Sequence, residues 1–341
     1  MRPEPNAPVE SAAGAAPSRA RILAAFAAIY LIWGSTYLGI AIAIQTTPPF
    51  VMAGVRFVIA GMMLYAWMRL RGAPRPTRAN WIAATIVGGL LLLGGNGAVV
   101  WAEQRVPSGI AALLVATLPV WLVLLDWARP NGTRPSGLVL AGLAMGLVGV
   151  GALVGPATLM GGNRIDVIGA LVLMGGSISW AAGSLYSKEA RLPTSTALGM
   201  AMQMLAGGGL LLLAGTVAGE WSAVDLGAIS TASAGAILYL IVFGSLIGFT
   251  AYMWLLRVAP PARVATYAYV NPVVAVFLGW LVLGETISAR TVLAAAIIVG
   301  AVALIVSARS GGGPSSGAKQ VDAGDHADDA ESTRGRERPA A

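Results

Sequence analysis

The chain has 341 residues, 57% of them hydrophobic and only 11% charged. A soluble domain carries about 25% charged residues, so a soluble fold is excluded: too much apolar surface would face water. The chain has no cysteine, and its single histidine, His326, lies in a polar tail, which removes disulfides, thiolate chemistry and the commonest general base from the folded part.

Residues 1–21 are rich in Ala, Pro and Ser without an apolar period and read as a disordered arm. The first apolar run, Ile22 to Ile44, reaches the roughly 20 residues that span a bilayer. It exceeds the roughly 7–15-residue core of a signal peptide, so it is expected to be a retained helix. Nine more runs follow, at 49–68, 80–101, 107–127, 137–154, 167–187, 196–217, 233–255, 262–283 and 290–308. Residues 309–341 are Gly/Ser-rich and then charged in both signs, and read as a solvated tail.

Ten spans put both termini on one side, and basic residues choose which. Arg2, Arg19, Arg21, Arg69, Arg71, Arg75, Arg78, Arg129, Arg134, Lys188, Arg191, Arg257 and Arg263 all fall on the side of the termini; the opposite loops offer Arg105, Arg164 and Arg290. The positive-inside bias therefore puts both termini in the cytoplasm. It also accounts for the net charge of +7 without nucleic-acid binding.

The stretch from Gly95 to Trp127 has a second copy from Gly248 to Trp280, aligned without a gap over 33 positions with ten identities. Gly95/Gly248, Trp101/Trp254, Pro107/Pro260, Pro119/Pro272 and Trp127/Trp280 are among the matched columns. The copies are five spans apart, and an odd shift reverses direction through the membrane. The predicted fold is an all-α integral membrane protein with ten transmembrane helices in two inverted five-helix repeats, 22–154 and 167–308.

The words IYLIWGSTYLGIAI, PPFVMAGVRFVIAGMML, ISWAAGSLYSKEA and NPVVAVFLGWLVLGETIS, together with the two repeat copies, resemble the EamA-type carriers of the drug/metabolite transporter superfamily. The resemblance covers about residues 22–308. It implies an inner-membrane carrier, commonly an exporter of amino acids, other metabolites or toxic compounds.

The residues themselves point to a cavity. Arg56 is the only charge well inside a run; it must face the protein interior or a wet space, either as a dock for an anionic group or as a structural arginine. Trp33 and Trp180 lie in mid-run beside hydroxyls, which suits either a cavity for amphipathic solutes or small-residue packing. Asn96 and Asn271 are mid-membrane amides, and Tyr267 lies just before Asn271; solute contact and helix–helix bonding both remain open. Arg56, Trp33, Trp180, Asn96, Tyr267 and Asn271 form the expected cavity wall. Pro119 and Pro272 mark expected helix bends, and Tyr252 either gates or anchors the end of its helix. No carboxylate is clearly buried in mid-span; Glu103 and Asp126 are the candidates for proton coupling, against the reading that they are interfacial charges.

No P-loop word and no metal-ligand spacing occur in the chain, so no cofactor and no metal are expected. The expected function is secondary transport, as export, of a small organic solute by alternating access in the inner membrane. The expected partners are that solute and the lipid bilayer, with no nucleic acid and a monomeric carrier. A membrane-embedded lipid-modifying enzyme is the rival, disfavoured by scattered acids and the lack of His and Cys; a non-transporting scaffold or sensor is the third reading.

Overall fold

A computed structural model of the protein describes residues 18–130, 132, 134–154, 166–259 and 267–310. Most of the expected arm and tail lies outside the described residues. Every regular element among the described residues is helical. The helices are α1 (Arg19–Ala43), α2 (Pro49–Leu70), α3 (Arg78–Ala102), α4 (Ser108–Ala128), α5 (Gly137–Val154), α6 (Val167–Ser187), α7 (Thr196–Val217), α8 (residues 231–258), α9 (Tyr267–Leu283) and α10 (Ala289–Ser310). Seven of them, α1 to α4 and α6 to α8, are long and apolar enough to cross a membrane. The apolar stretches of α5, α9 and α10 are shorter.

Local chemistry sets the boundaries. Ser18 accepts a hydrogen bond from the Arg21 amide, so α1 begins at Arg19, inside the stretch expected to belong to the arm. An N-cap side chain supplies an acceptor that the first helical turn lacks. Thr77 and Asn80 form a reciprocal capping box at α3. Asp166, Ser195 and Ser230 cap α6, α7 and α8. At the C-terminal end α10 runs to Ser310, two residues past the expected span.

Two interruptions break the α-helical ladder at matching places in the two repeat copies. Residues Gly89–Asn96 of α3 and Leu240–Ile247 of α8 are π-helical. Each leads directly into the repeated segment, and neither was predicted.

Packing exchanges the first helix of each half. α1 lies against α8 and α9, while α6 lies against α3 and α4. α2 pairs with α7, and α5 with α10. α9 packs on the first half of α4, Ser108–Val115; the second half, Leu118–Ala128, packs instead on α6 and α10. Leu31, Met62, Leu171, Leu213 and Phe277 are each more than half exposed, as a lipid-facing perimeter requires. Between helices, small residues allow close approach. At Gly88 of α3 an added Cβ would stand 2.5 Å from the Gln203 carbonyl oxygen of α7.

Gly88→Ala should therefore destabilise the α3–α7 seam by about 1–3 kcal/mol, the usual cost of overpacking. The readout is a lower thermal midpoint in detergent. Gly175→Ala is the control: it meets nothing within 4 Å, and its midpoint should hold or rise slightly.

Candidate solute cavity

Two tryptophans from the exchanged helices sit against two glycines of the repeat. A Cβ on Gly248 would lie 2.5 Å from Trp33 Nε1, and one on Gly95 would lie 2.6 Å from Trp180 Cε3. The Gly95/Gly248 column is thus conserved between the copies by the same contact made twice. The π-helical segments take part in both halves. Trp33 Nε1 donates to the Gly244 carbonyl at 3.3 Å, and Ser179 Oγ donates to the Leu90 carbonyl at 2.8 Å. Trp33 is then boxed by three more rings, with centroids 5.2 Å away at Phe249, 5.1 Å at Tyr252 and 5.1 Å at Tyr267.

These helices surround a cavity of about 120 Å³. Trp33, Arg56, Asn96, Trp180, Tyr267 and Asn271, the six residues expected to form a wall, all line it. Arg56 is 3% exposed. Its Nε donates to Ser245 Oγ at 3.2 Å, and its guanidinium carbon sits 4.4 Å from the Phe57 ring centroid. Arg56 Nη1 is buried with no hydrogen-bond partner, and so is Asn96 Oδ1. Two residues of the lining thus hold a buried unpaired group, a cationic donor on Arg56 and a neutral acceptor on Asn96, and the rest of the wall is mostly aromatic and aliphatic, with Thr36, Ser177 and Asn271 among it. Asn271 differs: its amide nitrogen, turned toward two carbonyls, donates to Tyr267 O at 3.2 Å and Tyr30 O at 3.3 Å. Asn271 therefore ties α9 to α1 as well as lining the space.

Several expected contributors turn elsewhere. Tyr252 supports Trp33 and Tyr267 from behind, with a ring centroid 6.0 Å from that of Tyr267. The matched prolines sit in different settings. Pro119 lies in the first turn of a helical segment that restarts at Leu118 after a break at Ala116 and Thr117, whereas Pro272 lies inside an unbroken helix. Thr36 and Ser177 do line the space, but their hydroxyls, like that of Ser184, donate back to carbonyls of their own helix. Asp126 pairs with Arg129 at 3.6 Å, and Arg129 also reaches Glu189 at 2.9 Å. Glu103, just past the end of its span, is buried: it is 9% exposed, with neither carboxylate oxygen partnered.

Sequence reasoning overlooked the word Gly-Glu, which occurs twice. Gly219 and Gly284 follow α7 and α9 with φ of 73° and 66°, a left-handed geometry that glycine adopts without steric cost. Each glutamate then reaches across to the start of a helix in the other half. Glu220 accepts from the amides of Phe50 at 3.3 Å and Val51 at 2.9 Å, at the start of α2. Glu285 accepts from Ser108 N and Oγ, both at 2.7 Å, and from Gly109 N at 3.1 Å, at the start of α4. Both acids satisfy orphan amides and sit at the positive end of a helix dipole. The signal was available as a glycine just past an apolar run followed by an acid.

Comparison with known proteins places these features in a family. The profile of the EamA-like transporter family matches residues 20–155 and 167–307. An Escherichia coli K12 protein described as "Uncharacterized inner membrane transporter YedA" is 44% identical over 286 residues, covering 83% of this chain and 90% of the relative. A "Probable amino-acid metabolite efflux pump" of the same organism is 25% identical over 170 residues, covering 47% of this chain and 51% of the relative. A solved structure titled only "Crystal structure of protein" superposes with a TM-score of 0.58 at 24% identity, over 86% of this chain and 100% of that one, and shares the fold.

Glu285→Ala should weaken the start of α4 by about 0.5–2 kcal/mol, the usual cost of losing a cap. Hydrogen exchange checks it: amides of Ser108 and Gly109 should exchange faster, with Phe50 and Val51 unchanged. Glu220→Ala should give the converse pattern.

Proposed function

The chain belongs to the EamA-like transporter family, and from that premise we propose that it exports a small, amino-acid-like solute with a carboxylate across the inner membrane. The carrying observation is the pair of unsatisfied buried groups in one cavity, Arg56 Nη1 and Asn96 Oδ1. A buried donor left without a partner costs free energy, and a solute carboxylate docked on Arg56 removes that cost through a charge-assisted bond. An ammonium or amide N–H of the same solute meets the Asn96 oxygen, and its apolar part meets Trp33 and Trp180. The printed names of the two relatives, an inner membrane transporter and an amino-acid metabolite efflux pump, agree with this reading.

In this reading the chain crosses the membrane ten times, both termini are cytoplasmic, and the halves are inverted about an axis in the membrane plane. The exchange of α1 and α6 and the doubled π segments favour two equivalent halves. The end where α2 and α4 begin is then the outer face. There α9 closes on the first half of α4, while further in the two helices part. The cavity is accordingly reached from the cytoplasm, as an exporter awaiting its solute requires. The carrier acts as a monomer.

Purified protein in liposomes, given a panel of labelled amino acids and amides, tests the reading. Solutes with a carboxylate should be carried and the matching amides should not. Arg56→Ala should cut that flux roughly tenfold or more, as loss of a charged hydrogen bond worth about 1.5–3 kcal/mol implies. Unchanged flux in Arg56→Ala would remove Arg56 from the solute site. A reporter fused to the C-terminus should read as cytoplasmic; an outside signal overturns the ten-span topology.

A further inference from the structure

Glu103 follows Ala102, the last residue of its span, and opens the short turn that leads to Ser108. Both carboxylate oxygens are buried and receive no hydrogen bond. A carboxylate stripped of water and of donors is strongly disfavoured, whereas a neutral acid is tolerated. The carboxyl group that acts on it is Glu285, which accepts three hydrogen bonds at the start of α4. Two neighbouring carboxylates do not both ionise readily.

Among the described residues, none of the basic side chains of the neighbouring spans and turns donates a hydrogen bond to Glu103. Arg105, on the same turn, pairs with Asp166 at the start of α6 at 3.5 Å and lies over the Trp101 ring. Arg290 of α10 donates Nε to the Ala152 carbonyl of α5, and its buried Nη2 has no partner. Arg56 of α2 donates Nε to Ser245 of α8, and its Nη1 has no partner. From α1, the titratable group within electrostatic reach is Tyr37, which also lines the solute cavity. Burial, and after it the Glu285 carboxylate, raise the Glu103 acid well above the ordinary carboxylate range.

We propose that Glu103 is a proton-binding site, and that α4 docks its first turn on Glu285 only while Glu103 carries a proton. The inference rests on the alternating-access reading, which makes this end the outer face. A proton from outer water adds to a carboxylate oxygen of Glu103 and gives a neutral acid that packs without a partner. The turn from Glu103 to Ser108 then settles, and Ser108 and Gly109 close on Glu285. Release of that proton into the solute cavity, and from there to the cytoplasm, leaves a buried charge; moving the turn toward water relieves it and pulls Ser108 off Glu285. Outer closure thus takes up one proton, so export of solute is exchanged for proton entry; Tyr37, which lines the cavity, lies within electrostatic reach of the acid. Closure raises the pKa of Glu103, so low pH favours the closed face, and closure is lost as pH rises through the raised pKa.

The test needs no solute, so its failure is separate from a failure of the substrate reading. Infrared spectra of the reconstituted protein at neutral pH should contain the C=O band of a buried protonated carboxylic acid. Glu103→Gln should remove it. Glu285→Gln, which removes the neighbouring charge, should keep the band but move its disappearance to lower pH. A second readout uses the absence of native cysteine. Ala112 is buried one turn beyond Gly109, and Ala112→Cys can be probed with a membrane-impermeant maleimide. Dividing its labelling by that of Ala112→Cys/Glu103→Gln cancels the ionisation of the thiol itself. The ratio should rise about tenfold per pH unit as Glu103 titrates. A carboxylic acid band that persists in Glu103→Gln, a Glu285→Gln midpoint equal to the native one, or a labelling ratio independent of pH each overturns the proposal.

Discussion

A backbone carbonyl without a partner is costly inside hydrocarbon, and a π-helical stretch frees carbonyls from the regular i to i−4 ladder. The two π segments of this chain meet that constraint with side chains from the opposite half. Trp33 of α1 serves the Gly244 carbonyl of α8, and Ser179 of α6 serves the Leu90 carbonyl of α3. Those bonds require the exchanged helices to come close, and the close approach requires Gly248 and Gly95. The cavity between the halves is what remains once the two indoles are fixed. Arg56 depends on the same device, because its anchor, Ser245, lies in the α8 π segment.

This arrangement divides the polar residues of the membrane region into two groups. Some are closed locally: Thr36, Ser177 and Ser184 bond to their own helix, and Asn271 bonds to the backbone of α1 and α9. Others keep an open valence toward the cavity, namely Arg56 and Asn96. Mid-membrane polarity alone does not separate these groups. Hydrogen-bond satisfaction does.

The separation explains how far sequence reasoning reached. Arg56 was legible because a lone charge in an apolar run has few places to go. Trp33 and Trp180 were legible because they stand in mid-run in counterpart words. The repeat itself was legible because Gly, Pro and Trp columns are not composition-driven. The partners were not: Ser245 is 189 residues from Arg56, and no local rule joins them. The π segments were hidden because their composition, GLLLLGGN and LIVFGSLI, is that of any membrane helix. At Glu103 the sequence left proton coupling and an interfacial charge both open, because its burial is not visible from its place at a helix end. Pro119 and Pro272 share a column but not a setting, because Pro119 follows a break at Ala116 and Thr117 whereas α9 runs through Pro272 unbroken.

The exchange of first helices also sets an order of events at the ribosome. Trp33 emerges 211 residues before its acceptor at Gly244. At about 5–20 residues per second, synthesis needs roughly 10–40 s to deliver that acceptor. For that interval α1 is in the membrane with its indole unpaired and its packing face toward lipid. α6 has no such wait, since α3 and α4 precede it. The two halves, alike in design, are therefore completed asymmetrically: one first helix docks as it is made, while the other is stored until the eighth arrives.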